Sequence, residues 1–277
     1  MRLGGPIFEK YETPDQWIDA VGALGYRAAF CPVALDASDD LIRAYSSAAR
    51  EADIVIAEVG AWSNPLSPDR EIRNAALAKC KKALVLADAI GARCCVNIAG
   101  SRGETWIGPC ANDLTEETFE LIVETVREII DDVRPIQSFY ALETMPWLYP
   151  DSTDAYLALF QAIDRPSFAV HFDPVNLISS PQRYFKNADI IREFVAKLGP
   201  HIKSCHAKDI LLHDRLTVHL DEVRPGLGQL DYQTYLRELA KLPGDIPIML
   251  EHLPDAVEYA AGAEHIRNIG MEEGINV

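Results

Sequence analysis

Phe168-Ala169-Val170-His171-Phe172-Asp173-Pro174-Val175-Asn176 opens as a short apolar run of the kind a buried strand shows and breaks at Asp173-Pro174. Proline has no N–H to give to a β-ladder, so the strand stops there. Asp173 is therefore a carboxylate at the last rung of a buried strand. An unpartnered buried carboxylate is costly. The rest of the chain is expected to bring it a counter-charge, a metal or a reaction.

Outward from this strand, short apolar runs alternate with longer amphipathic ones. Strands are expected over 3–8, 27–33, 54–60, 93–98, 138–144, the opening stretch itself, 202–207 and 246–250. Helices are expected between them, over 13–25, 39–53, 67–89, from 115 onward, and over 152–163, 188–198, 232–241 and 256–269. Thr13-Pro14-Asp15-Gln16 reads as a helix start, with Thr13 as cap, Pro14 in the first turn and Gln16 closing a capping box. Phe119, Ile122, Val126 and Ile129 keep the three-or-four spacing of a helix face. The strands are apolar on both faces, as strands buried between helices and a barrel interior are. Eight strands alternating with eight helices, with no linker or composition shift, predict one (β/α)8 TIM barrel over residues 1–277. An open doubly wound sheet is the alternative, but the first βα turn has no GxGxxG.

The totals agree. The 277 residues, 48% hydrophobic and 25% charged, suit a soluble enzyme, and barrels run to about 250 residues. The net charge of −16 opposes a nucleic-acid partner, which calls for a basic excess. The six cysteines form neither a disulfide framework nor a CxxC pair. Met1-Arg2-Leu3-Gly4-Gly5-Pro6 has no signal-peptide pattern, and no apolar run is long enough to span a membrane. These features point to the cytoplasm, with no membrane partner; a homo-oligomer is compatible with them.

Barrel active sites lie at the C-terminal ends of the strands. Four consecutive strands there carry Glu143, Asp173, His206 and Glu251, each about one βα unit from the next. Neighbouring strands lie about 4.8 Å apart, so the four side chains can converge. Three crowded carboxylates repel one another. A divalent cation resolves this, and the carboxylate/imidazole set suits Mn²⁺ first, with Zn²⁺, Co²⁺ or Mg²⁺ as alternatives. Taken singly, each residue reads as a surface ion pair. The set of four favours metal.

Leu142-Glu143, His171-Phe172-Asp173-Pro174-Val175-Asn176, His206-Ala207-Lys208-Asp209, Pro225-Gly226-Leu227-Gly228-Gln229-Leu230-Asp231 and Leu250-Glu251 resemble the sugar phosphate isomerase/epimerase group of xylose isomerase-like TIM barrels. The resemblance runs through essentially the whole chain. In the ketose 3-epimerases of that group a Glu–Asp–His–Glu set binds the metal and its glutamates exchange the proton. It implies that Glu143, Asp173, His206 and Glu251 hold a metal, and that Glu143 and Glu251 are catalytic. Those epimerases have a second glutamate six residues after the first, a histidine three after the aspartate and an arginine six after the histidine. Here these positions hold Tyr149, Asn176 and Leu212, so the metal set carries over and the sugar contacts do not.

Further residues are candidates for substrate binding. Lys208 lies two residues after His206 and points the same way, toward a substrate oxygen or an ion pair with Glu143 or Asp209. His171 points inward below Asp173, as a core histidine or one that supports a ligand. Glu58 ends the third strand and is expected to face the site as a base or substrate ligand. His252 is expected to point away from the axis if Glu251 points in, unless the strand ends early. Trp62, Trp106 and Trp147 follow strands three, four and five, where aromatics stack on sugars or pack a core or interface. Arg102 follows the fourth strand, to meet an anionic ligand or lie at the surface. Gly226 and Gly228 are read as turn residues.

Together these readings describe an isomerase or epimerase of a keto-sugar or related polyol, in which Glu143 and Glu251 move a proton on opposite faces of an enediolate. A carbon–oxygen lyase, resembling inosose dehydratases or enzymes that cleave 3-keto-glycosides, uses the same enolate and is the alternative. An endonuclease IV-like nuclease would need further ligands on the earlier strands. A metal-free binding protein is a fourth reading.

Overall fold

The computed structural model describes residues 1–277. Its barrel strands are β1 (Arg2–Gly4), β2 (Ala28–Phe30), β3 (Val55–Gly60), β4 (Cys94–Asn97), β5 (Tyr140–Glu143), β6 (Phe168–Phe172) and β7 (Ile202–Ala207). A hairpin of β8 (Asp209–Leu212) and β9 (Leu220–Val223) stands outside the barrel, and β10 (Pro247–Leu250) completes it. All eight barrel strands are parallel, and β10 pairs with both β7 and β1, which closes the ring. The helices between them are α1 (Pro14–Ala23), α2 (Asp39–Glu51), α3 (Arg70–Ile90), α4 (Glu116–Val133), α5 (Thr153–Ile163), α6 (Pro181–Phe185), α7 (Asn187–Leu198), α8 (Tyr232–Ala240) and α9 (Ala256–Glu272). This is the (β/α)8 barrel expected from the alternation.

Local chemistry sets the helix starts. Thr13 Oγ1 accepts the Gln16 N–H, while Gln16 Oε1 takes the N–H of Glu12, one residue before the cap. α3 begins at Arg70 because Asp69 is its cap, accepting from the amides of Glu71 and Ile72. Each strand feeds apolar side chains into one continuous core reaching from Leu3 to Ile266. No helix is long and apolar enough to cross a membrane. All six cysteines are free.

The short helix α6 and the β8–β9 hairpin were not anticipated. The hairpin pairs antiparallel, Asp209 opposite Val223 and Leu212 opposite Leu220. Asp209 anchors its return. Its carboxylate accepts from the amides of Gly226, Gly228, Ile210 and Leu230 at 2.8–3.0 Å. Gly226 has φ +93°, and a Cβ on Gly228 would collide with the Ile210 carbonyl and the Asp209 carboxylate, so both glycines are required by backbone shape.

Candidate active site

The strand ends gather their polar groups in two layers. In the upper one, single ligand atoms of Glu143, Asp173, His206 and Glu251 all lie within 4.8 Å of one another. His206 Nδ1 is 2.8 Å from Glu143 Oε1, 2.9 Å from Glu251 Oε1 and 4.0 Å from Asp173 Oδ2. The other face of the ring meets the lower layer, where Nε2 lies 3.3 Å from Glu58 Oε1. His171 and Ser204 each sit two residues before an upper-layer member and point the same way. They meet Glu58 Oε2 at 2.8 Å each.

Asp173 lies one residue past the end of β6, as Pro174 dictates. Its Oδ1 accepts from the amides of Val175 and Asn176, which leaves Oδ2 for the cluster. Asp173 Oδ2 and Glu251 Oε1 are buried and accept no well-directed hydrogen bond. Lys208 Nζ is within ion-pair distance of both, at 2.6 and 2.7 Å. Lys208 thus pairs with Asp173 and Glu251 rather than with Glu143 or Asp209. It also reaches Glu222 Oε2 at 3.3 Å and Asn176 Oδ1 at 3.5 Å.

These positions shape the charges. Burial pushes the Asp173 carboxyl up, and Glu143 and Glu251 add to this against the opposing Lys208, leaving it at about 7. Burial also pushes up Glu143, Glu251 and Glu58, but the histidines overcome it. His206 acts on all three, with Lys208 helping at Glu143 and Glu251 and His171 at Glu58, and each is held below the usual carboxylate range. Burial pulls His206 down, but Glu251, Glu143 and Glu58 hold it well above the usual histidine value.

The donor set fits a divalent cation. Three carboxylates and one imidazole converge, and two of the oxygens lack a directed donor. Glu58 suits the support of such a site. With Glu58 accepting Nε2–H from His206, Nδ1 is the nitrogen that can give up its proton and ligate, the usual carboxylate–histidine arrangement behind a metal. Glu58 was expected to end the third strand and face the site; it lies inside β3, 2% exposed, and lines the same cavity as Glu143 and Glu251.

The cavity that Glu143, His206, Glu251 and Glu58 reach has a volume of 680 Å³ and is lined also by Phe30, Trp62, Ile98, Trp106, Ile107, Met145, Trp147, Asn176, Lys208, Glu222, His252 and Tyr259, while Asp173 is wholly buried. Arg102 is not among the lining residues. It pairs with Glu117 at 3.3 Å, because Asp113 takes the Arg102 amide and turns that loop. Tyr149 and Leu212 do not line the cavity either. Among the polar lining residues Glu222 was not expected there, and His252 only if its strand ended early. β10 ends at Leu250, and His252 takes φ +58°, which turns its ring to the cavity and sets Nδ1 3.0 Å from Glu222 on β9. A second cavity, of 560 Å³, lies at the other end of the barrel. Its lining includes Arg50, a cation in the last turn of α2, where the helix dipole favours one.

Solved structures share this fold, three of them as follows. D-psicose 3-epimerase from Clostridium cellulolyticum H10, solved with D-tagatose, is 15% identical over 100% of both chains, with a TM-score of 0.71. The probable 3-DHS dehydratase AsbF from Bacillus anthracis is 16% identical over 96% of this chain and 98% of its own, also at 0.71. Endonuclease IV from Thermus thermophilus is 14% identical over 98% of this chain and 100% of its own, at 0.72. No curated protein matches in sequence. Residues 18–269 match the family described as xylose isomerase-like TIM barrel, and the chain belongs to that family.

Proposed function

We propose that this chain is a divalent-metal-dependent isomerase or epimerase that moves a proton α to the carbonyl of a keto-sugar or related polyol. The observation that carries the reading is the pair Glu143 and Glu251. Both are held below the ordinary carboxylate range and enter the cavity from strand ends separated by β6 and β7. A divalent cation held by Glu143, Asp173, His206 and Glu251, Mn²⁺ in the first instance, would supply Lewis-acid polarisation of the carbonyl oxygen. Glu251 takes the proton from one side of the carbon, and Glu143, after taking a proton from solvent, delivers it from the other. Lys208 and Asn176, at the edge of the cluster, donate to substrate oxygens. Glu58 holds the His206 tautomer. The apolar wall opposite keeps bulk water from the carbanion.

Incubation with keto-sugars in deuterated water tests this. Deuterium enters an intact sugar with the wild type, and Glu251→Gln loses at least about 10²-fold in exchange. Full exchange by Glu251→Gln at normal metal content would remove the assignment.

The missing epimerase contacts favour a second reading, a carbon–oxygen lyase. Tyr149 and Leu212 stay outside the cavity, and the likeness to AsbF, named as a probable dehydratase, is as strong as that to the epimerase. Release of water or of a second fragment, in place of deuterium in an intact sugar, would identify it.

A further inference from the structure

We propose that the cavity takes a two-part substrate, in which the polyol ketone on the carboxylate floor is joined to a flat aromatic group lodged among Trp62, Trp106 and Trp147. The floor part rests on the proton-transfer reading above; the aromatic part does not.

The chain has four tryptophans. Trp17 is wholly buried in the core. The other three, on three different loops, all line the one cavity. Core packing does not account for Trp106 and Trp147, which are 42% and 39% exposed; Trp62 is half-buried and also packs against the core. Large exposed apolar groups gathered in one place mark a binding surface.

The wall is built rather than incidental. The Trp62 indole lies against the backbone of Gly60, where a Cβ would collide with its Nε1. Its loop is gripped by Asn97, which bonds both the amide and the carbonyl of Ser63. Trp147 packs over Gly108, where a Cβ would come within 3.0 Å of its ring, and its Nε1–H donates to the Ile107 carbonyl at 2.7 Å. The β4–α4 loop that carries Trp106 and Ile107 is folded around the Asp113 carboxylate, which accepts from Ser101, Arg102 and Cys110. Trp62 and Trp147 are thus held against backbone supports and Trp106 is carried on a braced loop, in the cavity that Lys208, Glu222 and His252 also line.

The size and charge of the space select the occupant. At 680 Å³ it falls in the range that encloses ligands larger than one sugar ring. A phosphate is disfavoured there. Lys208 already faces Asp173 and Glu251, Arg102 is paired outside, and Glu58, Glu143, Glu222 and Glu251 all line the space. A planar π-face matches indole rings better than an alkyl chain does, because stacking adds to area burial.

Binding of phenyl, cyclohexyl and methyl β-D-glucoside to the Mn²⁺-supplemented protein, measured by calorimetry and ligand-observed NMR, tests the aromatic subsite without any turnover. The phenyl glucoside is expected to bind roughly tenfold more tightly than the methyl glucoside, and more tightly than the cyclohexyl one. Trp106→Ala and Trp147→Phe are each expected to shrink the phenyl advantage at unchanged Mn²⁺ binding, and Trp106→Ala with Trp147→Ala to abolish it. Should the double variant fail to fold, Trp106→Ala alone reads the effect, since that ring is largely at the surface. Equal binding of all three glucosides, equal binding of phenyl and cyclohexyl, or a phenyl advantage undiminished by Trp106→Ala would each overturn the proposal. Deuterium exchange into a free keto-sugar is scored separately. Its absence beside an intact phenyl preference sinks the proton-transfer reading of the floor and leaves the aromatic subsite standing.

Discussion

His206 occupies the pivotal position among single residues, with three carboxylates on its Nδ1 side and Glu58 on its Nε2 side. Replacing Glu58 by Gln keeps the shape but lets the amide donate where the site needs an acceptor. Mn²⁺ affinity should fall about 10–100-fold, measured by calorimetry; unchanged affinity would separate Glu58 from the site. Protons compete at the same atoms. His206 is held protonated by its neighbours, and Asp173 sits near 7. Both must release a proton to ligate, so a cation binds more tightly as pH rises. The stability of the metal-free chain runs the opposite way. A raised carboxyl means that the folded chain keeps a proton the unfolded chain has lost, so between the ordinary carboxylate range and about 7 folding loses support as pH rises. The raised histidine likewise loses its support as pH climbs through its folded value. The gain in Tm on adding Mn²⁺ should therefore be larger at about pH 8 than at about pH 6, and equal gains would exclude the linkage.

At the scale of elements, the β8–β9 hairpin is the feature that distinguishes the rim. It sets Glu222 beside Lys208 and His252, and its return depends on one buried carboxylate. Asp209→Ala leaves four amides without an acceptor. It should cost about 3 kcal/mol in urea-melt stability and weaken substrate binding more than metal binding; a loss below about 1 kcal/mol would show that water replaces the carboxylate. The hairpin escaped sequence reading because Leu220-Asp221-Glu222-Val223 alternates too briefly to signal a strand, and its pairing is set by contacts with the Gly226–Leu230 loop. The α1, α2 and α5 starts were legible because Thr13, Ser38 and Ser152 each accept an amide three residues on, a local event that needs no tertiary partner.

For the whole molecule, closure of the barrel brings together three carboxylates that repel one another, so a cation bound among them would be linked to folding. Mn²⁺ at about a hundred times its dissociation constant should add roughly 2.7 kcal/mol, raising Tm by about 5–10 °C, and excess EDTA should reverse it. No rise at any pH would favour a protein that binds without metal. With a net charge of −16, an abasic DNA duplex should not be retarded even at low salt. A retarded duplex would revive the nuclease reading, to which the likeness of fold alone raises no objection.

The sequence by itself determined the barrel and the upper layer of the site, because both follow from short-range rules. Apolar runs end where proline or a turn ends them, and in a parallel barrel every strand end points to the same rim, so Glu143, Asp173, His206 and Glu251 could be grouped by position along the chain. Only the tertiary structure decided what each side chain meets. Lys208 chose Asp173 and Glu251, Arg102 left the cavity for Glu117, Glu58 turned inward to His206, and His252 turned in through a left-handed backbone. These outcomes depend on strand stagger, loop geometry and distances of a few ångströms between residues far apart in the chain, which no local pattern encodes.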